Sequence, residues 1–134
     1  MKNYIFIYGT LSPDKAPSEV ASAVKRLRRV GSAYVRGNLY NLGEYPGAIL
    51  KNSSSNKIKG EVYELPNDNE TLAILDSYEE FNADNLASSL FVRSKTVATL
   101  SNGRQLECWI YVYNRDPGRA PLITSGYYKK SKAA

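Results

Sequence analysis

One carboxylate, that of Glu79, occupies a position where the sequence predicts the apolar side of a helix. At about 100° per residue, the arc that contains Glu79 is otherwise apolar, and it holds Leu72, Ile74, Leu75 and Tyr78. Glu80 points toward the polar side. An acid on the inward face is costly to bury as an anion, so its pKa should be raised, as a general acid or base requires. The alternative is that the helix ends at Tyr78 and Glu79 is a surface residue, and the residues alone leave both open.

A second chemical feature is the segment Tyr4–Pro13, in which a β-prone run, Tyr4 to Tyr8, leads directly into Gly9 and Thr10. Because the chain turns away from the sheet at the glycine, the N–H groups of the loop that follows are free to hold an anion or a polarised carbonyl oxygen. The plainer interpretation is that Gly9 only turns a corner between two elements. Taken alone, the segment favours the plainer interpretation.

The composition excludes several kinds of chemistry. The chain has 134 residues, one cysteine and no histidine, a length typical of a single domain over residues 1–134. Disulfides, Cys/His zinc sites and histidine-based triads are excluded, so acid–base chemistry must use a carboxylate, a tyrosine or a lysine. We expect Cys108 to be a small buried hydrophobe, and we expect no metal and no cofactor.

The net charge of +5 is concentrated in the segment Lys25–Arg29 and in the tail 129–134. Nucleic acid is one partner that such charges could bind, but no aromatic-interleaved basic strand accompanies them. A solvated helix face and a frayed tail are the favoured interpretation, so nucleic acid is not expected as a partner. No leader segment and no apolar run of roughly 18 residues is present, which predicts a cytoplasmic protein without a membrane partner. The oligomeric state is not predicted.

The first half of the chain contains predicted elements of both kinds. Ser18 can cap a helix that runs to about Arg29, because Val20, Val24 and Leu27 share one face. A strand is predicted over Ala33–Leu39, followed by a loop at Gly43–Gly47. The apolar run Ala48–Lys51 and the run Ile58–Leu65 are predicted to form a hairpin across a serine-rich connection.

The second half begins with the helix that carries Glu79, which Asp68 is predicted to open with acidic residues in its first turn. A polar connection over Phe81–Leu90 precedes a strand over Phe91–Leu100. Asn102-Gly103 predicts a tight turn, and the returning strand Leu106–Tyr113 is apolar on both faces, as in a central or barrel strand. With about six strands and two helices, we predict an α+β fold whose mixed sheet curls into a small β-barrel.

Several short motifs occur in a fixed order along the chain. They are Tyr8-Gly9-Thr10-Leu11, Gly37-x-Leu39-Tyr40 with Tyr45-Pro46, Gly60-Glu61-Val62-Tyr63-x-Leu65, Leu75-Asp76-x-Tyr78-Glu79, Val92-Arg93 and Trp109-x-Tyr111-x-Tyr113. The ordered set resembles the γ-glutamylcyclotransferase-like family, over nearly the whole of residues 4–128. The threonine in the first motif is more similar to the γ-glutamylamine and plant-type branch than to the glutathione-degrading branch.

The resemblance implies a small-molecule γ-glutamyl substrate, bound through backbone amides of the loop Tyr8–Leu11, and an acid–base role for Glu79. The implied reaction releases 5-oxoproline, and Tyr45 and Tyr113 are candidates for the pocket wall, with core packing as the alternative for Tyr113. Two departures from the family pattern are a long connection at residues 81–90 and Phe91 in place of a tyrosine, which could reshape the pocket mouth. A non-catalytic protein that has kept the pocket is the alternative function.

Overall fold

The structure is a computed structural model. The part of the chain that it describes contains six strands and two short helices. That part comprises residues 2–9, 18–51 and 53–128. The strands are β1 (Tyr4–Ile7), β2 (Arg28–Asn41), β3 (Pro46–Leu50), β4 (Lys57–Glu64), β5 (Phe91–Leu100) and β6 (Gln105–Tyr113). The helices are α1 (Ala21–Val24) and α2 (Thr71–Tyr78), with 3-10 turns at Ser18–Val20 and Leu86–Ser88. Among the described residues, no helix has the length and apolar character needed to cross a bilayer.

The strands form a closed barrel. Their order is β3-β2-β4-β1-β6-β5, and β2 also pairs with β5 through Ala33↔Leu100 and Tyr34↔Thr99. Strands β2, β4, β1, β6 and β5 therefore close on themselves, while β3 extends the pairing of β2 beyond the barrel. Strand β1 runs antiparallel to β4 and parallel to β6. The predicted α+β fold with a small mixed barrel is confirmed.

Apolar side chains form two cores, one on each face of the barrel wall. All five barrel strands contribute to the inner core, for example with Phe6, Val62 and Cys108. The outer core packs alternate residues of β1, β4, β5 and β6, including Ile5 and Tyr111, against the helices. Two cores explain why the last strand is apolar on both faces, as predicted. Cys108 is fully buried, which confirms its prediction as a small core residue, and burial raises the pKa of its thiol to about 11.

The predicted helix over residues 18–29 is helical only as far as Val24, as the 3-10 turn Ser18–Val20 followed directly by α1, and it is wrong from there on. Helix α1 has only four residues, and the chain enters β2 at Arg28. Pairing with β4 overrides the helical spacing, because Arg29 lies opposite Tyr63 and its guanidinium forms an ion pair with Glu61 at 2.6 Å. The basic residues 25–29 therefore do not share one helix face, and the tail 129–134 lies outside the described residues.

The predicted hairpin between residues 48–51 and 58–65 is also wrong. Strand β2 lies between β3 and β4 and pairs with both. The pairing of β2 with β3 is local, through the turn at residues 42–45, whereas β4 pairs with the first half of the same long strand. The predicted hairpin of β5 and β6 is confirmed, with Phe91 opposite Tyr113 and Thr99 opposite Gln105.

Helix α2 begins later than predicted. Its first residue is Thr71, so the acidic residues precede the helix and do not lie in its first turn. Asp68 still caps it, because its carboxylate accepts hydrogen bonds from the N–H groups of Thr71 at 2.9 Å and Glu70 at 3.1 Å. These bonds and the Thr71 hydroxyl lower the pKa of Asp68. The cap fixes where the helix that leads to Glu79 starts.

Gly60→Ala is expected to destabilise the fold by about 2 kcal/mol through overpacking. A Cβ at Gly60 would overlap the carbonyl oxygen of Ile7 and lie 2.9 Å from Cζ of Phe6, so β1 would have to shift. Gly31→Ala is the matched control, since a Cβ there has only the Leu100 side chain within reach, at 3.9 Å. Urea denaturation of both variants checks the prediction, and equal midpoints would contradict it.

Candidate active site

A cavity of about 230 Å³ opens beside the end of β1 and the C-terminal end of α2. At roughly 30 Å³ per water molecule, it has room for several waters or a ligand of comparable size. Its lining is mainly apolar and aromatic, with two carboxylates. The lining residues are Phe6, Ile7, Tyr8, Gly9, Tyr45, Pro46, Tyr78, Glu79, Glu80, Leu90, Phe91 and Tyr111.

Glu79 is the first residue after α2, and its side chain lines the cavity. The helix ends at Tyr78, as the alternative interpretation supposed, yet Glu79 is not a simple surface residue, because it is only partly exposed. Burial, together with the charge of Glu80, raises the pKa of Glu79 to about 7. Among residues 2–9, 18–51 and 53–128, no side-chain hydrogen bond or ion pair engages its carboxylate. The carboxylate is therefore available to a ligand.

The chain holds Glu79 in place with a helix-capping motif. The N–H of Glu80 donates to the carbonyl of Ser77 at 3.2 Å, and the N–H of Phe81 donates to the carbonyl of Asp76 at 2.9 Å. This is the Schellman arrangement, in which the residue after the C-cap adopts a left-handed conformation. Here that residue is Glu80, with φ of 57°, where glycine is the usual occupant. The strained position directs a second carboxylate to the cavity.

Glu80→Gln is expected to shift the pH dependence of any Glu79-dependent activity to lower pH. A base must be ionised, so activity should rise as pH increases through the Glu79 pKa of about 7. Removing the charge of Glu80 removes one cause of that raised pKa, so the rise in kcat/KM should move down by a fraction of a pH unit or more. Glu44→Gln is the control, because the Glu44 charge contributes to the raised pKa of Tyr45 and not to that of Glu79. An unchanged profile in Glu80→Gln would contradict the prediction.

Tyr8 and Gly9 bring the end of β1 to the cavity, as the sequence predicted for the start of the loop. The Tyr8 hydroxyl donates to the carbonyl of Tyr111 at 2.6 Å and accepts from the N–H of Ala48 at 3.3 Å. Burial and the charge of Glu79 raise the pKa of Tyr8, which keeps its proton. Gly9 allows the Pro46 ring to approach, since a Cβ there would lie 3.2 Å from Cγ of Pro46.

Two of the residues predicted to bind substrate, Thr10 and Leu11, lie outside the described residues. The other two predicted aromatic residues have different places. Tyr45 lines the cavity, and its ring packs edge-on against Phe91 at 5.8 Å between centroids. Tyr113 is not among the described residues that line the cavity; its ring packs against Phe91 at 5.5 Å between centroids. For Tyr113 the structure places the side chain in packing contacts, which was the alternative interpretation of the sequence.

The connection over residues 81–90 is folded back on itself at the rim of the cavity. The N–H of Leu90 donates to the carbonyl of Glu80 at 3.1 Å, which brings the two ends of the loop together. Inside it, the buried Ser89 hydroxyl accepts from the N–H of Asn82 at 2.8 Å. Leu90, the last residue of this connection, lines the cavity together with Phe91, the first residue of β5. The end of the connection therefore forms part of the cavity wall.

Sequence reasoning did not select Tyr111 as a site residue. It lies in β6, is 4% exposed and lines the cavity. Its hydroxyl donates to Oδ1 of Asp76 at 2.7 Å, and Arg93 holds the same carboxylate with Nε at 2.8 Å and a second nitrogen at 3.2 Å. The available signal was the alternation along β6, which places Trp109, Tyr111 and Tyr113 on one face, but that pattern does not say which of them meets a cavity.

The comparison with protein families agrees with this arrangement. The model of the family described as gamma-glutamyl cyclotransferase, AIG2-like, matches residues 5–130. The chain belongs to this family. It is 31% identical over 123 residues to the gamma-glutamylcyclotransferase family protein YtfP of Escherichia coli K12, covering 91% of this chain and 92% of that protein.

Solved structures share the fold of this chain. A mouse AIG2-like protein superimposes with a TM-score of 0.73 at 21% identity, covering 98% of this chain and 90% of that one. YkqA from Bacillus subtilis gives a TM-score of 0.70 at 21% identity over 96% of this chain. The chain spans 40% of the length of YkqA.

Proposed function

We propose that the protein is a γ-glutamyl cyclotransferase that releases 5-oxoproline from a γ-glutamyl amide. The α-amine of the substrate attacks its own γ-carbonyl, forming the C–N bond of a five-membered lactam. The bond between the γ-carbonyl carbon and the departing amine then breaks. Glu79 takes a proton from the α-ammonium group and returns one to the leaving amine, so one carboxylate serves first as base and then as acid.

The observation that carries this proposal is the state of Glu79. Its carboxylate lines a mainly apolar cavity and has a pKa raised to about 7 by burial and by Glu80. A carboxylate with its ordinary pKa of 4.5 would be too weak a base to take a proton from an ammonium group efficiently, and one that titrates near neutrality is better matched. This is the property that the helix arc predicted from sequence and that the family's reaction needs.

The cavity has the polarity that an α-ammonium group requires. Two carboxylates, Glu79 and Glu80, line it, and no lysine or arginine is among its described lining residues. The chain as a whole is positively charged, so this local excess of negative charge runs against the net charge of +5. An ammonium group placed beside Glu79 would gain charge-assisted hydrogen bonds in a partly desolvated site.

The small size and largely aromatic lining of the cavity suit an intramolecular reaction. The nucleophile and the carbonyl belong to the same glutamyl group, so the enzyme must fold that group until the reacting atoms are close. Orientation of this kind can lower a barrier by several kcal/mol. The rings of Tyr45 and Phe91 and the Pro46 side chain line the cavity and would confine the glutamyl group by van der Waals contact. Gly9 precedes Thr10 and Leu11, and we propose that backbone amides of this segment hold the carbonyl oxygen or the α-carboxylate of the substrate.

The test is 5-oxoproline release from a panel of γ-glutamyl amides. The panel contains γ-glutamyl-amino acids, γ-glutamylamines, ε-(γ-glutamyl)lysine and glutathione, with Glu79→Gln as the control variant. Release from at least one substrate that depends on Glu79 supports the proposal and identifies the leaving group. Stoichiometric binding of 5-oxoproline by folded protein, without turnover of any substrate, would overturn it in favour of a non-catalytic binding protein.

A further inference from the structure

The hydroxyl of Tyr111 has a fixed hydrogen-bond direction. Its partner, Asp76, is held by two nitrogens of Arg93, at 2.8 and 3.2 Å. A carboxylate in such a pair only accepts hydrogen bonds, so the phenol proton of Tyr111 must point to Asp76, across the observed 2.7 Å. Burial, followed by the hydrogen bond to Asp76, raises the pKa of Tyr111 well above its usual range, so the phenol stays protonated.

The consequence is that Tyr111 can offer a ligand only the lone pairs of its oxygen. A hydroxyl whose proton is committed becomes an acceptor for any further partner. The Tyr8 hydroxyl is committed in the same way, because it donates to the carbonyl of Tyr111 itself. Both tyrosines line the cavity that contains Glu79, and the charge of Glu79 contributes to the raised pKa of each. The Tyr8 oxygen already accepts from the N–H of Ala48 at 3.3 Å, so Tyr111 is the oriented acceptor that the cavity presents beside the carboxylate.

We propose that Tyr111 is a substrate-contacting residue that accepts a hydrogen bond from the α-ammonium group of the substrate, beside Glu79, and that Asp76 and Arg93 are positioning residues that fix its hydroxyl. The inference rests on the proposed function for the identity of the ligand. In this arrangement one N–H of the ammonium group donates to the Glu79 carboxylate and another donates to the Tyr111 oxygen. These two hydrogen bonds fix the orientation of the α-ammonium group, so it transfers its proton to Glu79 from a defined position.

Asp76 connects helix α2 to the barrel, and it therefore links the Tyr111 hydroxyl to the segment that carries Glu79. Its side chain bonds to β5 and β6 through Arg93 and Tyr111, and its backbone carbonyl accepts the N–H of Phe81 in the motif that follows Glu79. The same residue therefore sets both the direction of the Tyr111 hydroxyl and the start of the turn that carries Glu79.

The experiment compares two probes that differ only in the α-amino group. The first is the γ-methylamide of L-glutamate, and the second is the monomethylamide of glutaric acid, which lacks the amine. Wild type and Tyr111→Phe are titrated with each probe, and turnover of the first probe is measured in parallel. Tyr113→Phe is the matched control, because it lies two residues along the same strand, loses the same hydroxyl and does not line the cavity.

A hydrogen bond to a charged donor predicts that Tyr111→Phe weakens binding of the amine-bearing probe by about tenfold or more. Binding of the deamino probe should change less than about twofold, and Tyr113→Phe should affect neither. Equal weakening of both probes by Tyr111→Phe, no weakening of either, or a wild type that binds neither, would overturn the inference. If wild type binds the amine-bearing probe selectively through Tyr111 but never releases 5-oxoproline, the inference stands and the proposed function fails.

Discussion

Glu79→Gln is expected to lower the rate of 5-oxoproline release by about 10³-fold while leaving the fold intact. General acid–base catalysis by one side chain is typically worth about 10² to 10⁴ in rate, and here the same carboxylate acts in both proton transfers. Glutamine keeps the shape and polarity of the side chain but cannot accept a proton. Steady-state kcat on the best substrate of the panel, with far-UV circular dichroism to verify folding, measures the effect.

Glu80→Gln is the matched control for this loss, since it changes the neighbouring carboxylate on the same cavity wall. Glu80 is exposed, and in the proposed mechanism it adds negative charge to the cavity and raises the pKa of Glu79 but transfers no proton, so Glu80→Gln should retain turnover. A Glu79→Gln variant with at least a tenth of wild-type activity would remove Glu79 from the chemistry. Equal losses in both variants would point to the charge of the cavity, and not to a proton-transfer residue.

Glu79→Gln is also expected to stabilise the protein, with the full gain reached above pH 7. The pKa of Glu79 is about 7 in the native state, against an ordinary value of 4.5. Between these pH values the native protein keeps a proton that the unfolded chain has lost, so stability falls as pH rises through this window. Glutamine stays neutral throughout, and the gain at pH 8 should be about 3 kcal/mol, disappearing below about pH 4.5. Urea denaturation of both proteins at several pH values measures this, and parallel stability profiles would contradict it.

The inward-facing position of Glu79 could be predicted from sequence because the relevant pattern is local; its catalytic role stays a prediction. The arc of Leu72, Leu75 and Tyr78 needs only the helix period, and the site requires only that Glu79 follow that arc into the cavity. An error of a few residues in the helix end did not matter, since the C-cap position still faces inward. The barrel was predictable for a similar reason, because β6 is apolar on both faces from Cys108 to Tyr113.

The parts that could not be predicted depend on contacts between distant residues. Residues 18–29 have a helical spacing of apolar side chains and are helical up to Val24, but the pairing of Arg28 and Arg29 with β4, more than thirty residues later, decides where the helix gives way to a strand. Tyr111 is a candidate site residue because its hydroxyl reaches Asp76, 35 residues away in the chain. No periodicity in either segment contains that information.

Arg93→Met is expected to lower the free energy of unfolding by about 2–3 kcal/mol. Arg93 and Asp76 are mostly buried, with side chains 17% and 19% exposed, and removing one partner leaves the other charge in a site with little water. Lys95→Met is the matched control, because Lys95 lies two residues along β5 and its charge also stacks on Trp109, at 4.3 Å against 4.2 Å for Arg93. Its ion pair with Glu107 is exposed, so its loss should cost about 0.5 kcal/mol or less.

The comparison of these two variants controls for the cation above Trp109, but Arg93 also lies 5.5 Å from the centre of the Phe81 ring, so a second variant is needed to single out the pair with Asp76. If the cost of Arg93→Met comes from the orphaned carboxylate, then adding Asp76→Asn should recover about 1 kcal/mol or more, because no buried charge remains and Tyr111 can still donate to the amide oxygen. Urea denaturation of the single and double variants completes the cycle. An additive double variant, or an Arg93→Met no less stable than Lys95→Met, would mean that the pair does not anchor α2 to the barrel.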